Sequence, residues 1–199
     1  MVLKQIYPDR PDLNPGAMVS IENALNRFGD RIIDLCSAAA KKRKGNNVIG
    51  QDTRVRFSKE DLVYTIRESL AGELAHHAIN EGDKAVTKLN VGNADDLVGI
   101  DDILFPIPTT HNEYAKFERL KSSCGLQFPV VSVLNKYGNV LDNYDCAVYI
   151  TSLLEYLGAE ILEIAGQQTS KSNENIHRKH VLAAVLSDEE LYNTFNSIL

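Results

Sequence analysis

No stretch of about 18 consecutive apolar residues occurs anywhere in the chain. No short apolar segment stands behind an N-terminal charge in the manner of a secretory signal. The expectation is a soluble intracellular protein with no membrane association. Cysteine is scarce: Cys36, Cys124 and Cys146 are odd in number and widely scattered. They form none of the close pairs that zinc or a redox centre uses, so they read as small apolar residues. There is no Gly-rich phosphate loop and no nucleophile motif. Of the five histidines, His76 and His77 are adjacent and so fall on different faces of a helix, while His177 and His180 stand three apart without further ligands to complete a metal site. These absences argue against an enzyme and imply neither metal nor cofactor.

A general excess of positive charge is missing as well, since the formal net charge is -6. Its distribution is uneven: residues 1–90 hold 14 Lys and Arg against 12 Asp and Glu, whereas residues 91–199 hold 7 against 15. Uniform attraction to a polyanion is thereby excluded. Any nucleic-acid contact must come from local basic clusters, because affinity follows the phosphates neutralised and not the overall charge.

What is present is the composition of a packed protein, 44% hydrophobic and 24% charged, in 199 residues that suffice for one large or two small domains. Two long helices dominate. In the first, Met18, Ile21, Leu25, Phe28, Ile32, Leu35 and Ala39 recur at steps of three and four, with Pro15 and Gly16 at the start and Gly45 just past the end. In the second the stripe is Ala147, Ile150, Leu154, Leu157, Ile161 and Ile164, with Asp145 as the cap and an end near Ser172 and Asn173.

A shorter amphipathic segment follows each: Leu62, Val63, Ile66 and Leu70, announced by a Ser58–Asp61 capping box, and Val181, Leu182, Val185 and Leu186. Short helices are also expected before each long one, around 2–7 and 128–137. Neither half can bury so wide a stripe alone, which predicts that the halves bury it against each other. The predicted organisation is a first unit over 1–90, a linker over 91–110 rich in Asp and Gly, and a second unit over 111–199. The linker's apolar islands at Leu97, Val98, Ile103, Leu104 and Phe105 fit either packing on the surface or a solvated tether. The segment His111–Lys121 reads as helical, with Tyr114 and Phe117 on one side.

Longer motifs carry a family resemblance. GLQFPV at Gly125–Val130, LLEYLGAEILEIAG at Leu153–Gly166 and SDEEL at Ser187–Leu191 resemble segments of histone 2A. VLKQIYPD at Val2–Asp9, DRII at Asp30–Ile33 and GELAHHAINEGDKAVTK at Gly72–Lys88 resemble histone 2B. The chain is similar to the fused histone doublets of large double-stranded DNA viruses, in which one polypeptide replaces a dimer; fusion would raise the effective concentration of each half for the other. The resemblance implies an all-α fold of two histone folds (short helix, long helix, short helix) paired within one chain as a pseudo-heterodimer.

It further implies contact with double-stranded DNA through loop ends and helix N-termini, with Arg entering the minor groove. The candidates are Thr53, Arg54 and Arg56 in the loop after the first long helix, together with Lys121, Lys136, Arg178 and Lys179. The run Lys41, Lys42, Arg43, Lys44 suits DNA and equally suits a helix C-terminus, where cations stabilise the macrodipole. Glu73, Glu81, Glu155, Glu160, Glu163, Asp188, Glu189 and Glu190 match the family's acidic patch, whose ligand would be an Arg anchor. Read from the residues alone, Glu155, Glu160 and Glu163 are also the polar face of a helix, and Asp188–Glu190 suit a helix start.

Departures from the family are concentrated in the second half. Ser132, Asn135 and Lys136 stand where several Arg are expected, Asp142 and Asp145 occupy a shortened loop, and Asn175 replaces an Arg. In the first half Lys42 takes the place of a Tyr, and the following loop is longer. Basic tails and the histone 2A docking segment are not found in the sequence. The expected function is structural DNA packaging, in nucleosome-like particles with a histone 3/4-like pair or doublet, at chromatin in a viral particle, host nucleus or viral factory. The alternative is an interaction module working through the acidic patch. A regulatory dimer of the transcription-factor type fits the acidic patch and GLQFPV poorly.

Overall fold

The computed structural model describes residues 13–44, 56–92, 115, 119, 121–169 and 174–196. The expected short helix near 2–7, the linker islands, Gly45, Thr53, Arg54, Tyr114 and Phe117 lie outside them. The described residues are all-α, with seven named helices: α1 (Pro15–Lys44), α2 (Lys59–Ser69), α3 (Gly72–Gly92), α4 (Val130–Tyr137), α5 (Tyr144–Gln167), α6 (Arg178–Ser187) and α7 (Glu189–Phe195). Residues 115, 119 and 121–124 are helical too.

Helix α1 starts as the sequence predicts, with Pro15 in its first turn and the Asn14 side chain accepting a hydrogen bond from Gly16 N–H at 2.9 Å. Its buried face differs from the expected stripe. Ile21, Leu25, Phe28 and Ile32 are buried, but Met18 and Leu35 are 57% and 42% exposed, and Ala17, Ala24, Cys36 and Ala40 take the inner positions. Successive steps of four from Phe28 bring Cys36 inward instead of Leu35, and small residues allow neighbouring helices to approach. The capping box at α2 forms as expected. Helix α3 extends two residues into the segment expected to be linker.

Helix α5 is capped by Asn143, whose side chain accepts from Cys146 N–H at 3.1 Å; Asp145 stands in the first turn and is not the cap. The helix ends at Gln167, short of the expected Ser172. Every residue from Cys146 to Leu153 is buried, so the expected stripe is here a full circumference. The reason is position: α1, α2, α3, α4 and α6 all pack against α5. Phe28 of α1 meets Phe195 of α7 with ring centroids 5.6 Å apart. Burying one such side chain stabilises by about 1.5–3 kcal/mol. Against a net domain stability of about 5–15 kcal/mol, a handful of contacts between the halves decides whether either stands alone.

Two loop pairs lock the halves in register. Phe57, between α1 and α2, bridges Leu141 in front of α5: Phe57 N–H donates to Val140 C=O at 3.0 Å and Asp142 N–H to Phe57 C=O at 3.1 Å. Leu13, in front of α1, bridges Ile176 between α5 and α6, with Asn14 N–H donating to Ile176 C=O at 3.0 Å. The loop before each long helix therefore pairs with the loop after the other. The long helices run head to tail, and each half repeats the other's order of long helix, paired loop and shorter helix.

Candidate nucleic-acid interface and acidic surface

The two loop pairs gather part of the basic set. At Phe57–Leu141 stand Arg56, half-buried, and Lys59 in the first turn of α2, the latter 3.3 Å from Asp83. Lys41 and Lys42 are exposed on the last turn of α1, which ends at Lys44. At Leu13–Ile176 stand Arg178 and Lys179, exposed in the first turn of α6, with Lys179 Nζ 3.8 Å from Glu174. Cations at a helix N-terminus oppose the macrodipole by about 0.3–1 kcal/mol each. The stability of α6 therefore gives no reason for the pair, whereas Lys41–Lys44 at a C-terminus suit their helix.

Two other basic residues are paired with carboxylates of neighbouring helices. Arg43 grips buried Asp61 with both terminal nitrogens, at 2.6 and 2.7 Å. Lys136 lies 2.8 Å from Asp30 Oδ1, which also accepts the Tyr137 hydroxyl proton at 2.8 Å, so α4 is fastened to α1. Burial works against the Asp30 charge, but the bonds from Lys136 and Tyr137 outweigh it and hold the carboxyl below its ordinary range. Burial likewise opposes the Lys136 charge, and its bonds to Asp30 and Tyr137 hold the ammonium above its ordinary range. Lys121 is half-buried in the helical turn 121–124.

The acidic candidates divide into two groups. Glu155 Oε2 accepts from Gln127 N–H and Phe128 N–H at 2.7 Å each, fixing the turn before α4. Glu190 accepts from Glu73 N–H at 3.0 Å and Leu74 N–H at 2.8 Å, satisfying the open start of α3 across 116 residues of sequence. Gly72 makes room there with φ of 53°. Asp188 caps α7 through Leu191 N–H at 2.8 Å. The remaining carboxylates face outward: Glu163 and Glu189 are exposed, Glu73 is 3.7 Å from His77, and Glu81 is 2.7 Å from Lys84.

Half-buried Glu160 joins the two groups. Burial raises its pKa, a Tyr156 hydrogen bond opposes the rise, and the charges of Glu163 and Asp188 add to it. Burial raises the Tyr156 phenol, and Glu160, Glu190 and Glu81 push it further. The charges of Glu81 and Glu190 thus reach Tyr156 and those of Glu163 and Asp188 reach Glu160, while Glu190 ties α7 to the start of α3; Glu155 serves mainly the turn. Tyr156 and His77 take part in these contacts and were missed from the sequence, since nothing in their spacing marks them. His177 N–H donates to His180 Nδ1 at 3.2 Å, and His180 Nε2 is 3.6 Å from Glu174, so His180 closes the start of α6. Among the described residues, no three His, Cys, Asp or Glu are grouped to hold a metal ion, and no helix is long and apolar enough to cross a membrane.

No protein-family model matches the chain. It is 39% identical over 83 residues to a histone 2A of Agaricus bisporus, an alignment covering 39% of this chain and 60% of that histone. It is 40% identical over 83 residues to a macro-type histone 2A of Capsaspora owczarzaki, covering 39% of this chain and 23% of that protein. The chain thus spans less than two thirds of the length of either relative. With the all-α architecture, the similarity supports a histone-fold protein.

Proposed function

We propose that the chain is a structural DNA-packaging protein: a fused histone 2B–2A-like dimer that binds DNA without sequence specificity and builds nucleosome-like particles with a histone 3/4-like pair or doublet. The observation that carries this reading is the pairing of the loop before each long helix with the loop after the other, Leu13 with Ile176 and Phe57 with Leu141, which sets basic residues beside two separate loop pairs. Two such sites suit a protein whose Arg side chains enter successive inward-facing minor grooves of a wrapped duplex. Arg56 and Lys59 serve one pair and Arg178 and Lys179 the other, and Lys41 and Lys42 on the last turn of α1 add to the basic set.

The similarity to histone 2A supports chromatin as the working location. The resemblance of the two halves to a histone 2B–2A doublet supports a viral particle, a viral factory or a host nucleus as the setting.

A second reading is favoured by the acidic surface. Arg43 and Lys136 are paired with Asp61 and Asp30, which thins the DNA-facing charge, while the charges of Glu163 and Asp188 act on Glu160 and those of Glu160, Glu190 and Glu81 on Tyr156. On this reading the protein bridges chromatin to another component by holding an Arg-bearing ligand bidentately between carboxylates.

Binding of the full chain to duplexes of unrelated sequence, measured over a series of salt concentrations, tests the first reading. Log affinity falls linearly with log salt, equally for all sequences, and removing Arg178 and Lys179 flattens the slope by about 0.9 for each phosphate no longer neutralised. Absence of duplex binding, or a slope unchanged by that double substitution, contradicts the assignment.

A further inference from the structure

The Arg43–Asp61 pair sits at an informative place. Asp61 is buried, its side chain 8% exposed against 52% for Arg43, and its carboxylate is heavily subscribed. Oδ2 accepts from Ser58 N–H at 2.9 Å and Ser58 Oγ at 3.3 Å in addition to Arg43 Nη2, while Oδ1 takes Arg43 Nη1. Its carbonyl accepts from Thr65 Oγ1 at 2.8 Å and, on α1, from Cys36 Sγ at 3.9 Å. A buried carboxylate of this kind requires a paired cation, and the planar guanidinium fork supplies one with fixed geometry.

Ser58 is the next residue after Phe57, whose N–H and C=O are the two groups that pair with Val140 and Asp142. Arg56 immediately precedes it. A grip on Asp61 is therefore a grip on Ser58, on the bridge to the second half and on the backbone that presents Arg56. We propose that Arg43 is a positioning residue for the Phe57–Leu141 loop pair, acting on DNA through Asp61 and Ser58 and not by meeting a phosphate itself. This rests on the DNA-binding reading above and assigns a different task to one member of the basic run at the end of α1.

The sign of one substitution separates the two tasks. Asp61→Asn removes a negative charge beside the DNA face and releases Arg43. If Arg43 were a phosphate ligand, this variant would bind DNA as tightly as the wild type or tighter. If Arg43 is a positioning residue, Asp61→Asn weakens binding several-fold despite the favourable charge change. Arg43→Lys keeps the charge and loses the fork; it is the gentler variant should Asp61→Asn fold poorly, and a several-fold loss is again expected.

Duplex binding over a salt series, with amide hydrogen exchange of the full-length variants alongside, gives both readouts. Weaker binding in both variants, with faster exchange at Phe57, Ser58 and Asp142, is the expected result. Undiminished binding in either folded variant, or exchange at those amides unchanged, overturns the proposal. A wild-type chain that fails to bind DNA, with exchange still faster in Arg43→Lys, overturns the DNA reading while leaving Arg43 as the holder of the loop pair.

Discussion

The phenol of Tyr149 on α5 fills the space over Gly82 on α3 and donates its hydroxyl proton to Ile79 C=O at 3.0 Å. A Cβ on Gly82 would lie 2.5 Å from two of the ring carbons. In an isolated helix, Gly→Ala is favourable by about 0.5–1 kcal/mol. Overpacking of a filled core costs about 1–3 kcal/mol, and here the obstacle is a buried ring that is itself hydrogen-bonded. Gly82→Ala is therefore predicted to destabilise, with a lower urea midpoint at unchanged m. A raised midpoint would show that the ring yields and that this contact does not set the spacing of the halves.

Asp30 gives a pH dependence with a definite sign. Its folded carboxyl titrates below the ordinary 3.8, so ionisation favours the folded state. The contribution is complete above the unfolded value and is lost as pH falls through the folded one. The stability gap between the wild type and Asp30→Asn should be constant near neutrality and close below pH 3.8. Lys136 mirrors this: held above 10.5, it contributes fully below that value and is lost as pH rises through the folded pKa. A gap that persists unchanged into strong acid would remove the electrostatic role from this junction.

The three thiols should be inert. Burial pushes Cys36 and Cys124 up to about 11 and Cys146 up to about 12. The thiolate is the reactive species, and at about pH 8 thiols of this kind are ionised to about one part in a thousand or less. Alkylation followed by mass spectrometry is expected to leave all three unmodified in the native chain and to modify all three in denaturant. Native labelling of any one at the rate of a free cysteine would contradict its packed position.

Much of the fold was legible because local chemistry and tertiary position agree. The Ser58–Asp61 box, the start of α1 at Pro15 and the inner positions Ile21, Phe28, Ile150 and Leu157 follow directly from cap chemistry and helical period. What failed did so for a physical reason. Periodicity assumes one buried face, so it misassigned Leu35, whose place Cys36 takes, and underestimated α5, which is enclosed by five neighbours. Of the site, charge type was readable and commitment was not. Nothing in the sequence shows that Glu190 closes the start of α3, that Arg43 holds Asp61, or that Lys136 holds Asp30.

That division of the acidic residues is itself testable. Glu190→Ala removes the acceptor for two N–H groups at the start of α3, the equivalent of losing a helix cap, at a cost of about 0.5–2 kcal/mol. The double substitution Glu163→Ala with Glu189→Ala affects exposed carboxylates only and should change stability by no more than about 0.5 kcal/mol. If the surface binds Arg-bearing ligands, the double variant nonetheless loses affinity for a basic peptide. Equal retention of affinity in a folded double variant would place the binding carboxylates elsewhere.

The central claim is that the paired loops bend DNA as part of a histone-type particle. Its most direct test is nuclease protection of DNA assembled at near-physiological salt with this chain and a histone 3/4-type partner, compared with the partner alone. The account predicts a longer protected fragment when the chain is present, and a shorter one again when Arg178 and Lys179 are substituted. A fragment no longer than that of the partner alone would contradict packaging and leave the acidic surface as the protein's working face.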